Sequence, residues 1–165
     1  MILQADFMRR KIKNVYADYD YNCFGCSPSN AIGLRLEFYE NDDYVETTWS
    51  PARQYEGYPN ALHGGILAAL IDETAAWTMY IKARRAGVSS RINIRYRKPV
   101  NSTQSEILTR GTITNFNRNL CYIHVEILNE QGELCTEAEV VYFTFSLEKS
   151  IQEHYFPDDY NRFFE

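Results

Sequence analysis

The longest apolar stretch of the chain covers residues 66–81 and contains only a few polar side chains. This run is too long for a strand, so it predicts a helix. A helix with so little polar surface must be covered on most of its sides. The sequence therefore predicts a buried central helix that begins after the motif HGG, residues 63–65.

Alternating hydrophobic and polar positions predict strands on both sides of this helix. Residues 34–39 and 44–49 predict a β-hairpin before it. Four further strands follow the helix, with a turn at residues 129–132 between the last two: 91–96, 106–115, 120–128 and 134–146. Because helices and strands do not alternate, a parallel doubly wound sheet is excluded. The pattern predicts an α+β fold, in which an antiparallel sheet wraps around one long helix.

The two ends of the chain are predicted to pack against this core. In the N-terminal arm, residues 1–22, Phe7, Met8 and Ile12 have the spacing of a short amphipathic helix. The C-terminal tail, residues 148–165, is rich in aromatic side chains that need a partner surface. With the core at residues 34–147, the length of 165 residues predicts one domain.

Charge and composition narrow the choice of partners. The formal net charge of -5 gives no electrostatic reason to expect nucleic acid or an anionic membrane surface. Asp6 and Arg9 interrupt the N-terminal sequence before a long apolar run develops, so we expect neither a signal peptide nor a membrane span. The expected location is the cytoplasm.

The chain has four cysteines, of which only Cys23 and Cys26 are closely spaced. In a protein expected in the cytoplasm they predict reduced thiols rather than a disulfide framework. A zinc site would need two more ligands, and Cys121 and Cys135 do not form a second close pair. We therefore expect no metal and no redox cofactor.

Asp72 and Glu73 are the only charged residues within the apolar part of the helix. A buried carboxylate is costly unless it is paired or hydrogen-bonded. Two interpretations follow. Both carboxylates lie where the helix meets solvent or an arginine of the sheet, or one of them has a chemical function.

The helix start favours the second interpretation. Backbone N–H groups at Gly64 and Gly65 and the positive end of the helix dipole form a site for negative charge. Such donors stabilise the oxyanion of acyl transfer, and a carboxylate can supply a base or nucleophile. However, Asp72 lies about 12 Å further along the helix axis. Either the two groups serve different purposes, or a homodimer combines the amide of one chain with the carboxylate of the other.

Three segments of the sequence resemble the hot-dog-fold acyl-CoA thioesterases of the PaaI-like group, in the 4-hydroxybenzoyl-CoA thioesterase superfamily. They are HGGILAALID at the helix, SSRINIRYRKPV after it and CFGCSPSNAIGLRL before it. Together with the strands between them they cover about residues 22–147. The resemblance implies a five- or six-stranded antiparallel sheet around the central helix.

The same resemblance implies roles for individual residues. Asp72 has the family's spacing from His63 and would be the general base or nucleophile, while Gly64 matches the amide that polarises the thioester carbonyl. Ser89 falls where many members carry a Thr or Ser near the attacking water, although an ordinary strand residue is an equal alternative. His63 would be a residue of the turn or, second to Asp72, an acid.

One position departs from the family pattern. Many members carry Asn or Gln six residues before the His to orient water or the carbonyl, and this chain has Gly57 there. Asn60 would take over this role, or the role is absent.

Substrate contacts can also be assigned from side-chain type. Arg97, Lys98 and Arg118 are cationic positions suited to the phosphates of coenzyme A, although ordinary surface charge is an alternative. Trp77, Met79 and Tyr80 would suit an apolar or aromatic acyl pocket, or they form part of the core. The acyl group itself cannot be derived from the sequence.

The sequence thus predicts a homo-oligomeric thioesterase that hydrolyses an acyl-CoA to the free acid and CoA, as a dimer or a dimer of dimers. A non-hydrolytic acyl-CoA binding or regulatory protein with this fold is the alternative. A hydratase or dehydratase is less well supported, because such enzymes place a histidine on or near the helix and residues 65–85 contain none.

Overall fold

A computed structural model describes residues 9–153 and 155–164 of the chain. One antiparallel sheet of seven strands, in the order β1-β2-β3-β5-β6-β7-β4, packs against one long helix. The strands are β1 (Arg10–Ile12), β2 (Phe38–Glu40), β3 (Val45–Trp49), β4 (Gly87–Tyr96), β5 (Ile107–Asn117), β6 (Leu120–Leu128) and β7 (Leu134–Thr144). The predicted α+β arrangement is confirmed.

The central helix α1 covers Gly64–Thr78 and continues as a π-helical turn over Met79–Ala83. The chain then leaves the helix through Arg84, which has left-handed backbone angles (φ 52°). The apolar run predicted this helix, and the burial of its side chains agrees with the lack of a polar face. Trp77 is almost completely buried and stacks on Phe38 of β2, with ring centroids 5.2 Å apart.

The strands after the helix follow the sequence pattern closely. β6 has the predicted bounds, and the turn between β6 and β7 is closed by a hydrogen bond from the Gly132 N–H to the Asn129 carbonyl (2.9 Å). β4 starts four residues earlier than predicted, at Gly87, and contains an irregularity between Ser89 and Arg91. The small and polar residues at its start resemble a loop in sequence but pair with β7.

The predicted hairpin before the helix is present in a shortened form. β2 begins only at Phe38, because the preceding segment forms hydrogen bonds elsewhere. The Leu34 N–H donates to the Phe24 carbonyl (2.8 Å) and the Leu36 N–H donates to the Gly25 carbonyl (2.9 Å). The segment before β2 is therefore fixed to the turn at residues 23–26, here called the CFGC turn, rather than to β3.

The helix predicted within the N-terminal arm is wrong for the described part of that arm. Arg10–Ile12 forms β1, which pairs with β2 at the edge of the sheet, and Val15–Asp18 forms a short 3-10 helix. The unpaired backbone of β2 offers hydrogen bonds to an extended segment. An ion pair between Arg10 and Glu40 (2.6 Å) accompanies this pairing. Phe7 and Met8 lie outside the described residues.

The C-terminal tail packs as its aromatic content predicted. It contains a short helix, α2 (Leu147–Gln152), and a 3-10 turn at Tyr160–Phe163. Phe163 is fully buried, and its ring meets Trp77 edge to face at a centroid distance of 6.1 Å. The hydrophobic core thus extends beyond residues 34–147 to include residues of the arm and the tail.

Strand β4 forms one edge of the sheet and is exposed along most of its length. It is hydrogen-bonded to β7 on one side only, and it exposes Val88, Ile92 and Tyr96. A long, exposed edge with apolar side chains needs a cover in solution.

In the described residues, no helix is both long and apolar enough to cross a membrane.

A close approach of helix and sheet at Gly111 gives a stability prediction. At Gly111 of β5 an added Cβ would clash with the hydroxyl oxygen of Thr78, which donates to the Thr74 carbonyl (2.7 Å). We expect Gly111→Ala to lower the free energy of unfolding by about 1–3 kcal/mol, because overpacking forces helix and sheet apart. Chemical denaturation measures this change.

The matched variant is Gly111→Ala combined with Thr78→Ala, which removes the atom that the new methyl group would meet. We expect the second substitution to cost less in the Gly111→Ala background than alone, giving a coupling energy of about 0.5–3 kcal/mol. Strictly additive effects would contradict the close packing of α1 on β5.

Candidate active site

The first turn of α1 leaves one backbone donor free. His63 caps the helix: its Nδ1 accepts from the Gly65 N–H (2.8 Å), and its carbonyl accepts from the N–H groups of Ile66 and Leu67. The Gly64 N–H has no acceptor among the described residues. Of the two amides predicted as oxyanion donors, Gly65 is therefore occupied by the cap, and Gly64 remains available.

Tyr96 at the end of β4 covers the helix start. Its hydroxyl donates to the Gly64 carbonyl (2.9 Å), and its ring lies against the Cα of Gly64, where a Cβ would be 3.3 Å from the hydroxyl oxygen. The sequence contained no signal for this contact, since the two residues are 32 positions apart. Tyr96 fixes the position of the Gly64 peptide relative to the exposed sheet edge.

The loop before the helix explains the residues at positions 57 and 60. Gly57 packs against His63, with only 3.3 Å between the Cα of His63 and a Cβ built on Gly57. Asn60 adopts left-handed backbone angles (φ 64°), which Asn tolerates better than most residues. Its carbonyl accepts from the Ser102 N–H (3.1 Å). Both residues thus shape the turn that presents the helix start.

Asp72 lies on the opposite half of the helix and points at β7. Its Oδ1 accepts from the Tyr142 hydroxyl (2.8 Å), which also lies 3.1 Å from the Asp72 carbonyl oxygen. Burial and the nearby Asp72 carboxylate raise the pKa of the Tyr142 phenol above its ordinary value. Tyr142 therefore stays protonated and holds the carboxylate by one hydrogen bond, leaving the remaining lone pairs for other partners.

Ser89 lies on the same side of the sheet as this pair. It is directly opposite Tyr142 in the β4–β7 ladder, and directly paired residues project from the same face of a sheet. Ser89 is exposed. The structure thus brings Asp72, Tyr142 and Ser89 to one end of β4, while Gly64 and Tyr96 lie at the other end.

The three candidate cations do not form one cluster within a chain. Arg97 and Lys98 follow β4 at its Tyr96 end and form ion pairs with Glu137 and Glu133, respectively. Arg118 lies in the β5–β6 turn at the opposite end of the sheet, exposed and with left-handed backbone angles. The two ends are about 30 Å apart along the strand. One chain therefore cannot direct all three at the same phosphate group.

Glu73 points away from Asp72, towards the N-terminal part of the chain. Its Oε1 accepts from the indole N–H of Trp77 (3.1 Å), and the Cys23 thiol lies 3.5 Å from Oε2. Burial, and the neighbouring Cys23 sulfur, raise the pKa of Glu73 to about 7. In the described residues neither Glu73 nor Asp72 forms an ion pair. The arginine partner considered from the sequence is thus not present there.

Glu73 lines a cavity of about 660 Å³ between α1, the arm, the tail and the start of β4. Half of the residues that line it are aromatic: Tyr16, Tyr19, Tyr21, Trp77, Tyr80, Phe145 and Tyr155. Of the three residues proposed for an acyl pocket, Trp77 and Tyr80 line this cavity, whereas Met79 is completely buried in the core. The space is large enough for a small ligand.

The closely spaced cysteines lie at this cavity too. Cys23 and Cys26 are free thiols, as are Cys121 and Cys135 inside the sheet. The Cys26 thiol and the backbone N–H groups of Gly25 and Cys26 hydrogen-bond to the Cys23 sulfur and lower its pKa, although burial opposes them. The Cys23 sulfur and burial raise the pKa of Cys26. Proximity to Glu73 was not predicted, because the sequence separates these groups by about 50 residues.

Comparison with known protein families gives a match over the helix and most of the strands that follow it. Residues 60–136 match the thioesterase superfamily, a range that includes Gly64, Asp72 and Ser89. No curated protein matches the sequence.

Solved structures agree with this assignment at the level of the fold. A thioesterase superfamily protein superimposes with a TM-score of 0.68 at 20% identity, over 73% of this chain and 59% of its own length. A hypothetical thioesterase from Streptococcus pneumoniae, crystallised with coenzyme A, gives 0.59 at 24% identity (64% and 80%). PaaI of E. coli, from the phenylacetic acid degradation operon, gives 0.62 at 18% identity (68% and 81%).

The cap geometry gives a prediction for the structural role of His63 as the N-cap of α1. If His63 serves as the N-cap, His63→Ala loses the acceptor for the Gly65 N–H and lowers the free energy of unfolding by about 0.5–2 kcal/mol. His63→Asn supplies another capping oxygen, so we expect it to retain most of that stability. Denaturant titration of the three proteins measures the difference. Equal losses in both variants would contradict a capping role.

Proposed function

We propose that this protein hydrolyses an acyl-CoA or a related acyl thioester to the free acid and the thiol, because residues 60–136 match the thioesterase superfamily and the sheet and helix have the hot-dog arrangement. The observation that carries the proposal is the N–H of Gly64 at the start of a buried helix, which finds no acceptor in the described part of the chain. A fixed donor at the positive end of a helix dipole suits the oxygen of a polarised thioester carbonyl.

In the proposed reaction, the Gly64 N–H donates a hydrogen bond to the carbonyl oxygen and stabilises the negative charge that develops there. Asp72 takes a proton from a water molecule whose oxygen forms the new bond to the carbonyl carbon. The carbon–sulfur bond then breaks, and the proton passes to the departing thiolate. Direct attack by the Asp72 carboxylate, followed by hydrolysis of the anhydride, is the alternative course of the same reaction. Tyr142 orients the carboxylate in both.

We further propose that two copies of the chain form each site, because Gly64 and Asp72 lie about 12 Å apart along one helix. The exposed edge of β4 supports this arrangement. If two β4 strands pair antiparallel about a twofold axis, the Tyr96 end of one copy lies beside the Ser89 end of the other. The Gly64 amide of one chain would then approach the Asp72 carboxylate of its partner.

The same pairing gives a reason for the distribution of the cations. Arg97 and Lys98 of one copy would come to the end of the sheet at which Arg118 of the other copy lies. Three cations that are separated within one chain would then be able to meet the phosphates of a single coenzyme A. Ser89 would face the reacting water from the partner strand. Asn60, exposed in the turn before the helix, would contribute to binding.

The aromatic cavity is proposed as the acyl pocket. Trp77 and Tyr80 lie on the helix turns after Asp72 and form part of the wall of this cavity. Aromatic walls suit an apolar or aromatic acyl group. A protein that binds acyl-CoA without hydrolysing it would use the same cavity, and the assay below separates the two functions.

The first test of the function is steady-state hydrolysis of a panel of acyl-CoA thioesters, with detection of the released thiol. We expect Asp72→Asn and Asp72→Ala to lower kcat/KM by at least about 100-fold, because each removes the base or nucleophile. Asn keeps the hydrogen bond from Tyr142 and serves as the structural match. Equal activity of the three proteins would contradict the role of Asp72, and tight binding without turnover in the wild type would favour the non-hydrolytic alternative.

A second test addresses the shared site by mixing two inactive variants. Gly64→Pro removes the free N–H at the first helical position, where proline is tolerated, and His63 already has the extended conformation that precedes a proline. Gly64→Ala adds a side chain there but keeps the N–H. We expect Gly64→Pro to lose activity and Gly64→Ala to retain more of it.

Gly64→Pro chains are then dissociated and reassociated with an equal amount of Asp72→Asn chains. If each site combines two chains, half of the dimers are mixed and each has one intact site, so about a quarter of wild-type activity returns. Each variant treated alone in the same way serves as the control. No recovery, with mixed dimers verified by mass spectrometry, would contradict a shared site.

A further inference from the structure

The CFGC turn and Glu73 place three potential metal ligands together on one wall of the aromatic cavity. The sulfur atoms of Cys23 and Cys26 and a carboxylate oxygen of Glu73 all lie within 4.8 Å of one another. The Cys23 sulfur is 3.5 and 3.6 Å from the two carboxylate oxygens. This group includes neither Asp72 nor Gly64, the residues proposed for the chemical step, although it lines the cavity proposed as the acyl pocket.

The separation between the Cys23 sulfur and the Glu73 carboxylate matches the geometry of tetrahedral zinc. With Zn–S near 2.3 Å and Zn–O near 2.0 Å, a tetrahedral angle separates sulfur from oxygen by about 3.5 Å. Two cysteines with two residues between them are a common spacing in zinc sites. The third ligand comes from a helix 50 positions later in the sequence, which is why the cysteine spacing alone did not predict a site.

The turn is held in this shape before any ion binds. Its backbone carbonyls at Phe24 and Gly25 accept from the segment before β2, and the Cys26 carbonyl accepts from the Asn14 side chain (2.9 Å). Gly25 lets the carboxylate approach, because a Cβ at that position would lie 2.5 Å from the Glu73 carboxyl carbon. Binding a metal would therefore require little rearrangement of the backbone.

The charge of the site also favours a cation. Glu73 and Cys23 are partly buried groups whose deprotonated forms are anionic ligands, and none of the described residues that line the cavity is Lys, Arg or His. Two anionic groups side by side in such surroundings are costly unless a positive charge compensates them. A divalent ion would supply that charge, and thiolate ligands select zinc over magnesium or calcium.

We propose that Cys23, Cys26 and Glu73 bind one Zn²⁺ ion, with the fourth coordination position open to the aromatic cavity. The Tyr21 hydroxyl, 2.6 Å from the Cys26 sulfur, would donate to that sulfur from outside the coordination sphere. The ion would join the CFGC turn to helix α1. Its open position would hold water or a donor atom of a molecule bound in the cavity.

The test is titration of the reduced full-length protein with Co²⁺, whose thiolate complexes give charge-transfer absorption, followed by competition with Zn²⁺. We expect one ion per chain. Cys23→Ser, Cys26→Ser and Glu73→Gln should each weaken binding by at least about 100-fold, and Tyr21→Phe by about 10–100-fold. Cys121→Ala, Cys135→Ala and the exposed Glu106→Gln serve as matched controls and should bind like the wild type.

A second measurement needs no variant that might fail to fold. Wild-type protein is alkylated in its native state with and without Zn²⁺, and the modified cysteines are identified by mass spectrometry. We expect Zn²⁺ to protect Cys23. Absence of protection, or equal Co²⁺ affinity in the wild type and the Cys23→Ser variant, would overturn the proposal and leave a hydrogen-bonded pair of thiols.

Discussion

The enclosure of helix α1 is the constraint on which the rest of the structure depends. The helix has almost no polar face, so every side of it needs an apolar cover. The sheet supplies most of that cover and approaches closely enough to require glycine at position 111. Residues of the arm and tail cover what the sheet leaves open, through Tyr16 and Phe163 against Trp77. The two carboxylates of the helix are consequently held in surroundings with few polar partners.

This enclosure gives neighbouring residues of one helix different environments. Successive helical residues point about 100° apart, so Asp72 faces β7 while Glu73 faces the CFGC turn. Asp72 receives a single phenol donor that stays protonated. Glu73 meets thiols and an indole N–H, and its pKa rises to about 7 because burial disfavours the charged form. Sequence adjacency therefore does not imply a shared chemical role.

Local patterns were sufficient to predict most of the fold. The bounds of β6 and the turn at residues 129–132 follow directly from alternation and turn residues, and the length of the apolar run identified the helix. The errors occur where distant contacts outweigh the local pattern. The arm pairs with the edge of β2 instead of forming a helix, and the segment before β2 is bonded to the CFGC turn instead of extending the strand.

The candidate site was predictable only as far as single residues reveal their chemistry. Asp72 and Glu73 stand out as charges in an apolar helix, and the resemblance to the thioesterases, through the spacing from His63, selected Asp72 over Glu73 and Gly64 as the amide. Tyr96 and Tyr142 do not stand out, because a tyrosine in a strand is an ordinary packing residue until the fold shows what its hydroxyl contacts. The Gly64 N–H is likewise available only because the His63 side chain accepts from the Gly65 N–H instead.

Strand β4 connects these observations. The Tyr96 hydroxyl at one end of the strand donates to the Gly64 carbonyl at the helix start. Ser89 at the other end is paired with Tyr142, which holds Asp72. The two ends of β4 therefore lie beside the two groups, Gly64 and Asp72, that are too far apart on one helix to share a substrate carbonyl. A twofold axis through an exposed edge strand exchanges its two ends. Complementary groups at opposite ends of the strand are therefore the distribution that a shared site requires. If all these groups lay at one end of β4, that symmetry would place them at the opposite end from the same groups of the partner chain.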